Sequence, residues 1–521
     1  MDQQQPSEQI QSATPTTPQL LDFQIEPTKK LIEAFKSDPN NRGYILVQPA
    51  GTGKTYELAH ALKAAQDKGY LSTPPPLAPC QILILTTAKV ATAQFPRVLL
   101  QIGVKNFHVV SHAALSSTTG EGFLNWTNEI VDGCLDYIPS WDEDFKPSLI
   151  IVDESQKLMN KNALISKIII AAVKQGIKVV LASATPYTRL SETFVTCVAL
   201  KLCDATTHSH RNFCANFGDY IDWNASAMER FDQYISDRGL KISAENIKFA
   251  HRVFNKCRLI QFESERHREI YEAAYEEYLE ECRKNNKKTP EGVRAIWVAM
   301  IKFRKTAENL RSGQLTKVAI EVCTGQDKQV IIASNFTSTL EIVENMLVEV
   351  HGINPRRIAK IIGGLNCQED IDAFQEGDKD YCLLSLKSGG AGLSLHHDRK
   401  NGKARPRYCI LPPTWSAIEL VQVLGRAHRI TSISATYQDV IWYEGTIEEK
   451  VSARVARKMK SLKKAVTKKE VWTDLFEGAE DREDEELDEL KKSVIADEEE
   501  KDEDGISIID SLPLEAFEDK D

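Results

Sequence analysis

The 521 residues contain no C-x-x-C pair, and their eleven cysteines are odd in number and scattered from Cys80 to Cys409. That spacing excludes a zinc ribbon or an iron–sulfur cluster, argues against a disulfide framework, and fits a reducing compartment. No apolar run reaches the ~18 to 20 residues of a membrane span. The opening MDQQQPSEQIQSATPTTPQ has neither the basic nor the apolar stretch of an export signal. A soluble intracellular protein with no membrane role is expected. No repeat of ~20 to 50 residues is present, which excludes a solenoid or a propeller.

Charge is small in total and uneven in place. The net charge is −10, yet residues 471–521 hold 22 Asp and Glu against 5 Lys and Arg, a net of −17, which leaves +7 on the preceding 470 residues. A mildly basic body with an acidic tail is expected. Residues 1–19 and 471–521 carry too little apolar content to offset the entropy of ordering, and both read as disordered termini.

Between them the hydrophobic pattern changes twice. Over residues 20–190, short continuous apolar runs (YILVQP, QILILTT, SLIIVDE, KVVLASA) alternate with helical patterns such as YELAHALKAAQ and NALISKIIIAAVKQG. Continuous runs belong to strands buried on both faces, so a doubly wound, parallel α/β domain is expected. Residues 191–315 lose the rhythm, and SERHREIYEAAYEEYLEECRK predicts a helical insertion whose Tyr271, Tyr275 and Tyr278 face a neighbour. Alternation returns in QVIIASNF, RIAKIIGG, YCLLSLKSGGAG, RYCILPP and YQDVIWYE, which predicts a second α/β domain over 316–470.

Chemistry concentrates at the strand ends of this pattern. YILVQPAGTGKTY places a glycine turn between a predicted strand and a helix, as a phosphate-binding loop requires, but Gln48 stands where G-x-x-x-x-G-K-[ST] has its first glycine. Backbone N–H groups of such a turn can hold phosphates, Lys54 can neutralise their charge, and Thr55 can ligate Mg²⁺. Gly51 and Gly53 sit where the backbone must approach the phosphates. LIIVDESQ supplies a second strand end, where Asp153 could hold Mg²⁺ and Glu154 could orient or deprotonate an attacking water.

In order and spacing, AGTGKT, DESQ, SATP (Ser183–Pro186) and QVLGRAHR (Gln422–Arg429) resemble the motifs of superfamily-two helicase-like ATPases, and the Swi/Snf-type DNA translocases match best. LLDFQIE is similar to their entry pattern L-R-P-Y-Q-x-E, LLSLKSGGAGLSLH to S-T-x-A-G-G-x-G-x-N-L, and EGTIEEKV matches the helix that follows. The resemblance spans residues 20–465. It implies two RecA-like domains with ATP and Mg²⁺ between them and nucleic acid across both. It places Gln24, Pro49, Ala50, Gly51, Thr52, Gly53, Lys54 and Thr55 around the nucleotide. Gln422, Arg426 and Arg429 then complete, from the second domain, a catalytic set with Lys54, Asp153 and Glu154. Ser183 and Thr185, bonded toward Gln156, would couple phosphate state to the nucleic-acid surface. Departures from the pattern are Gln156 after D-E-S, SATP in place of T-G-T-P, Gly425 before Arg426, and RITS in place of R-I-G-Q. They point to a compact, divergent branch of viral or phage type.

Nucleic-acid contacts are expected from Thr87 and Lys89, Ser111 and His112, Asn335, and Lys387, Ser388 and Gly389, whose short polar or basic groups lie at strand ends. The segment Ile447–Lys469 carries nine Lys or Arg at mostly helical spacing, and either tracks DNA or braces the first domain. The leading expectation is an ATP-hydrolysing translocase on DNA, with RNA as the alternative nucleic acid and protein partners left open. A strand-separating helicase serving transcription is the second reading, and a scaffold that has lost hydrolysis the third.

Overall fold

The computed structural model describes residues 19–36, 42–74, 76–88, 90–91, 95–117, 120–131, 134–187, 190–206, 231, 233–242, 247–285, 289–362, 367–386, 393–414, 417–449 and 452. Two six-stranded, wholly parallel sheets organise them. In the first lobe, α1 (Asp22–Phe35) precedes β1 (Tyr44–Val47), α2 (Lys54–Asp67), β2 (Ile82–Thr86), α3 (Phe95–Ile102), β3 (Phe107–Ser111) and α4 (His112–Leu115). An antiparallel hairpin of β4 (Leu124–Val131) and β5 (Cys134–Trp141) leads to β6 (Leu149–Asp153), α5 (Leu164–Lys174), β7 (Lys178–Ser183), α6 (Phe194–Ala199) and β8 (Gly239–Lys241). The sheet order is β3-β2-β6-β7-β1-β8.

The second lobe begins earlier than the hydrophobic rhythm indicates. It comprises β9 (Val253–Ile260), α7 (Glu265–Lys284), α8 (Pro290–Gly325), β10 (Gln329–Ser334), α9 (Thr337–Asn345), β11 (Ile358–Ile361), α10 (Gln368–Glu376), β12 (Tyr381–Ser385), β13 (Arg407–Leu411), α11 (Ala417–Ala427) and β14 (Thr436–Tyr443), ordered β11-β12-β10-β13-β14-β9. The stretch 191–315, expected to be helical throughout, therefore gives β8 to one sheet and β9 to the other. Tyr271 and Tyr275 of α7 do pack inward, within 5.3 Å of the Phe303 ring on α8, with Tyr278 at 6.1 Å.

Continuous apolar runs work here because both faces of each sheet are covered. Along β6, Ile150 and Val152 enter one apolar layer while Leu149 and Ile151 enter the other. On β10, Ile331 and Ala333 separate from Val330 and Ile332 in the same way. Removing one such side chain, as in Ile151→Ala, is expected to cost about 2–5 kcal/mol. What the layers position is the carboxyl crest of each sheet. The register sets Val47 beside Ser183, and Asp153 beside Ala182, so the ends of β1, β7 and β6 open at one place. Parallel sheets bind ligands at that crest. Among the described residues, no helix is long and apolar enough to cross a membrane.

Candidate active site

The loop after β1 has the shape of a phosphate cradle. Gly51 and Gly53 adopt φ of +74° and +90°, where an L side chain is strained. Space is short as well: a Cβ on Gly51 would lie 2.9 Å from Arg429 Cγ, and one on Gly53 would lie 2.6 Å from Gln24 Nε2. Thr52 Oγ1 closes the turn by donating to Pro49 O at 2.6 Å, and Gln24 Nε2 donates to Thr52 O at 2.9 Å. Gln24 is thus buried against the loop itself. Lys54 Nζ is held over the cradle by Gln48 O at 3.1 Å and Pro49 O at 3.4 Å. Thr55 follows on the first turn of α2, half-buried beside it.

Gln48 is a structural part of this loop. Its fully buried amide donates to Glu57 Oε1 at 2.6 Å and reaches Thr52 O at 3.4 Å, tying the cradle to α2. Burial pushes the Glu57 carboxyl up to about 7, against the hydrogen bond from Gln48.

Asp153 ends β6 with its Oδ2 accepting from Thr86 Oγ1 at 2.9 Å. Burial, and then the charge of Glu154, raises the Asp153 carboxyl above its usual range. Glu154 turns the chain in the left-handed region, at φ 55° and ψ 50°. Its Oε2 accepts from Gln156 Nε2 at 2.8 Å, and Gln156 Oε1 accepts from Ser183 Oγ at 2.6 Å. Ser183 Oγ also accepts from Thr185 N at 2.9 Å, while Ser183 O accepts from Gln48 N at 3.1 Å. A continuous polar path therefore runs from Glu154 through Gln156 and Ser183 to the entry of the phosphate loop.

The second lobe closes the site from α11. Gln422 Nε2 donates to Glu154 Oε2 at 3.3 Å across 268 residues of sequence. Ile430 N donates to Gly51 O at 3.3 Å, and a Cβ on Gly425 would meet Ala50 Cβ at 2.8 Å. Glycine in mid-helix is explained by this approach of two backbones. Arg426 Nε donates to Gln422 O at 3.1 Å, and Arg429 Nη2 to Leu393 O at 2.5 Å, while Arg426 Nη1 and Arg429 Nε are buried without a partner. Burial, then the charge of Arg429, lowers Arg426 to about 9 despite Glu154, and burial lowers Arg429 to about 10.

These shifts describe two complementary deficits. The Asp153 carboxyl at the tip of β6 is buried with too little positive charge, and the guanidiniums of Arg426 and Arg429 with too little negative charge. A magnesium–polyphosphate would fit both: the metal would answer Asp153, and phosphate oxygens the planar arginine forks.

The expected nucleic-acid contacts fare unevenly. His112 is buried with Nε2 2.9 Å from Asp153 O, and burial lowers it to about 4; it braces the strand tip, a correction to the surface role expected for it. Ser111 is likewise engaged, its Oγ capping α4 by accepting from Ala114 N at 3.0 Å. Asn335 turns its side chain inward to Glu308, so its amide is not offered outward as expected. Thr87 Oγ1 is buried without a partner, and its carbonyl accepts from Val90 N at 3.1 Å. Lys89, Lys387, Ser388 and Gly389 lie outside the described residues.

Several participants carry no motif. Thr86 could have been found as the end of the strand beside β6, and Glu57 as the one charge on the inner face of α2. RITS is also accounted for: Thr431 Oγ1 lies 2.7 Å from His396 Nε2, Ser434 Oγ 2.8 Å from His397 Nδ1, and Ser432 Oγ accepts from Arg429 N at 2.9 Å. Hydroxyls and histidines bind the arginine loop to the 393–397 segment.

Two parallel α/β lobes thus meet crest to crest, with Gly425 and Arg429 of one against Ala50 and Gly51 in the loop after β1 of the other. Residues 324–490 match the family described as the C-terminal domain on Strawberry notch homologue. DNA repair protein RAD5 of Candida glabrata is 32% identical over 130 residues, 24% of this chain and 11% of that one. L364 of Acanthamoeba polyphaga mimivirus, which bears the provisional name of an ATP-dependent RNA helicase, is 25% identical over 455 residues, 78% of this chain and 77% of that one. The chain spans 11% and 14% of the length of the RAD5 relatives from Candida glabrata and Saccharomyces cerevisiae. Among solved structures, the Sulfolobus solfataricus SWI2/SNF2 ATPase core in complex with dsDNA aligns with a TM-score of 0.34 at 16% identity, over 91% of this chain and 97% of that one. The chain is similar to that Strawberry notch family over residues 324–490 and to RAD5 over a stretch of 130 residues.

Proposed function

We propose that this protein hydrolyses ATP to move along nucleic acid, with duplex DNA as its track. The observation that carries the reading is the hydrogen bond from Gln422 of one lobe to Glu154 of the other, which joins the hydrolytic carboxylate to the element bearing Arg426 and Arg429. In this reading Gly51, Gly53 and Lys54 bind the phosphates and Glu154 takes the proton of the attacking water. Thr55 and Asp153 would hold Mg²⁺, which neutralises phosphate charge when bound. Arg426 and Arg429 stabilise charge on the transferred phosphoryl group, so hydrolysis requires the closed lobes. The path Glu154–Gln156–Ser183 passes the phosphate state along the crest of the first sheet. Opening and closing then alternate the grip of the two lobes on the backbone. The DNA-repair names of RAD5 and RAD54 relatives favour DNA.

The test is the ATPase rate with duplex DNA, single-stranded DNA and RNA in parallel. Stimulation by duplex DNA above the other two supports the proposal; stimulation by none overturns it. A second reading, a strand-separating RNA helicase, is favoured by the name of L364, which matches 78% of this chain. Displacement of a triplex-forming third strand without duplex unwinding distinguishes translocation from strand separation.

A further inference from the structure

We propose that Glu308 is a positioning residue that holds the loop after β10 in the shape needed to grip nucleic acid, with α8 acting as the strut. The inference rests on the nucleic-acid reading above and extends it to a residue remote from the ATP site. Glu308 lies on α8, only 4% exposed, within an apolar layer. Its carboxylate accepts from Ser334 Oγ at 2.6 Å, from Asn335 N at 3.0 Å and from Asn335 Nδ2. Ser334 Oγ in turn accepts from Phe336 N at 3.2 Å. Three hydrogen bonds from two consecutive residues of the crest loop thus converge on one buried carboxylate.

Neighbouring positions on α8 repeat the device. Asn309 Oδ1 accepts from Thr339 Oγ1 at 2.8 Å and from Ser338 Oγ at 3.3 Å, fixing the start of α9. Arg311, fully buried, donates to both oxygens of Glu448, whose Oε2 also accepts from Tyr443 N at 3.0 Å. Glu448 stands at the root of the segment with nine basic residues. One stretch of α8 thus ties the crest loop of β10 to the base of that segment. Buried charge is a poor way to stabilise a fold, because apolar residues of similar volume do as well or better. A carboxylate that meets three donors of one crest loop instead fixes that loop's shape.

The experiment compares the full chain with Glu308→Gln, measuring ATPase without nucleic acid, KM for ATP, and the duplex-DNA concentration giving half-maximal stimulation. Glutamine offers one acceptor oxygen and turns an N–H₂ toward the donors. The expected result is at least a tenfold rise in the DNA concentration required, with basal rate and KM for ATP within twofold. Adding Asn335→Asp to Glu308→Gln restores a donor–acceptor pair of reversed polarity and should recover much of the loss. Thermal unfolding is recorded alongside; if Glu308→Gln does not fold, Asn335→Ala replaces it and should raise the required DNA concentration by at least threefold. A parent stimulated by DNA and a folded variant with an unshifted response overturn this inference alone. A parent that no nucleic acid stimulates overturns the functional reading and this inference with it.

Discussion

Gln48 and Glu57 form a buried pair 2.6 Å apart that fastens the phosphate loop to the helix it precedes. The residue that breaks the usual glycine pattern is therefore the donor that a buried carboxylate requires. Restoring glycine, in Gln48→Gly, is expected to destabilise the protein by about 1–3 kcal/mol, because the buried Glu57 loses its hydrogen bond from Gln48. Urea unfolding checks this. Adding Glu57→Gln should recover part of the loss, and a Gln48→Gly variant as stable as the parent would show that the pair is dispensable.

Loss of single groups should separate binding from turnover. Lys54→Ala, Glu154→Gln and Arg426→Ala are each expected to abolish measurable hydrolysis, the arginine alone accounting for ~10³ to 10⁵ in rate. Glu154→Gln keeps the phosphate loop and Lys54, so it should still retain ATP on a filter or in fluorescence titration. Normal turnover by that variant would remove Glu154 from the role assigned to it.

Closure can be blocked without touching a charged group. Gly425→Val places a side chain against Ala50, where even a Cβ would be 2.8 Å from Ala50 Cβ. Turnover is expected to fall by at least ~100-fold, in line with the loss of an arginine clamp. Binding of a fluorescent ATP analogue should weaken by less than about threefold, since the phosphate loop belongs to the other lobe. Comparable losses of both would mean that the second lobe contributes most of the binding energy.

The acid limb of stability should carry the signature of His396. Burial, then the charges of Arg429 and Arg407, lowers this imidazole from 6.5 to about 3. Between those values the unfolded chain binds a proton that the folded chain does not, so stability falls as pH drops below 6.5. His396→Gln does not titrate. The parent's unfolding free energy relative to that variant should therefore decline by up to ~1.4 kcal/mol per pH unit. Urea titrations at pH about 7.5, 6 and 5 measure the difference; a constant difference would contradict it.

Much of the site could be read in advance because its groups sit at the ends of strands whose apolar runs are unmistakable: β1 before Gly51, β6 before Asp153, β7 before Ser183. The second lobe's edge was harder. In β9, Phe254, Lys256 and Leu259 are exposed while Asn255 is buried, a pattern without the continuous apolar run of its neighbours, and its partner β14 follows about 180 residues later. Polar groups at strand ends were the other difficulty. His112, Ser111 and Asn335 have the composition of surface contacts, yet each is taken up by a neighbour. Nothing in residue type distinguishes an imidazole that faces a ligand from one that supports a carbonyl. Packing decides that.

The left-handed backbone at Glu154 carries a thermodynamic implication. A non-glycine residue there costs of order 1 kcal/mol or more, a penalty that glycine escapes. Glu154→Gly relieves that penalty but gives up the hydrogen bonds from Gln156 and Gln422, so it should melt within about 5 °C of the parent while losing the hydrolysis proposed for it. The tip of β6 thus sets a carboxylate where backbone strain, and not side-chain packing, is what its position costs.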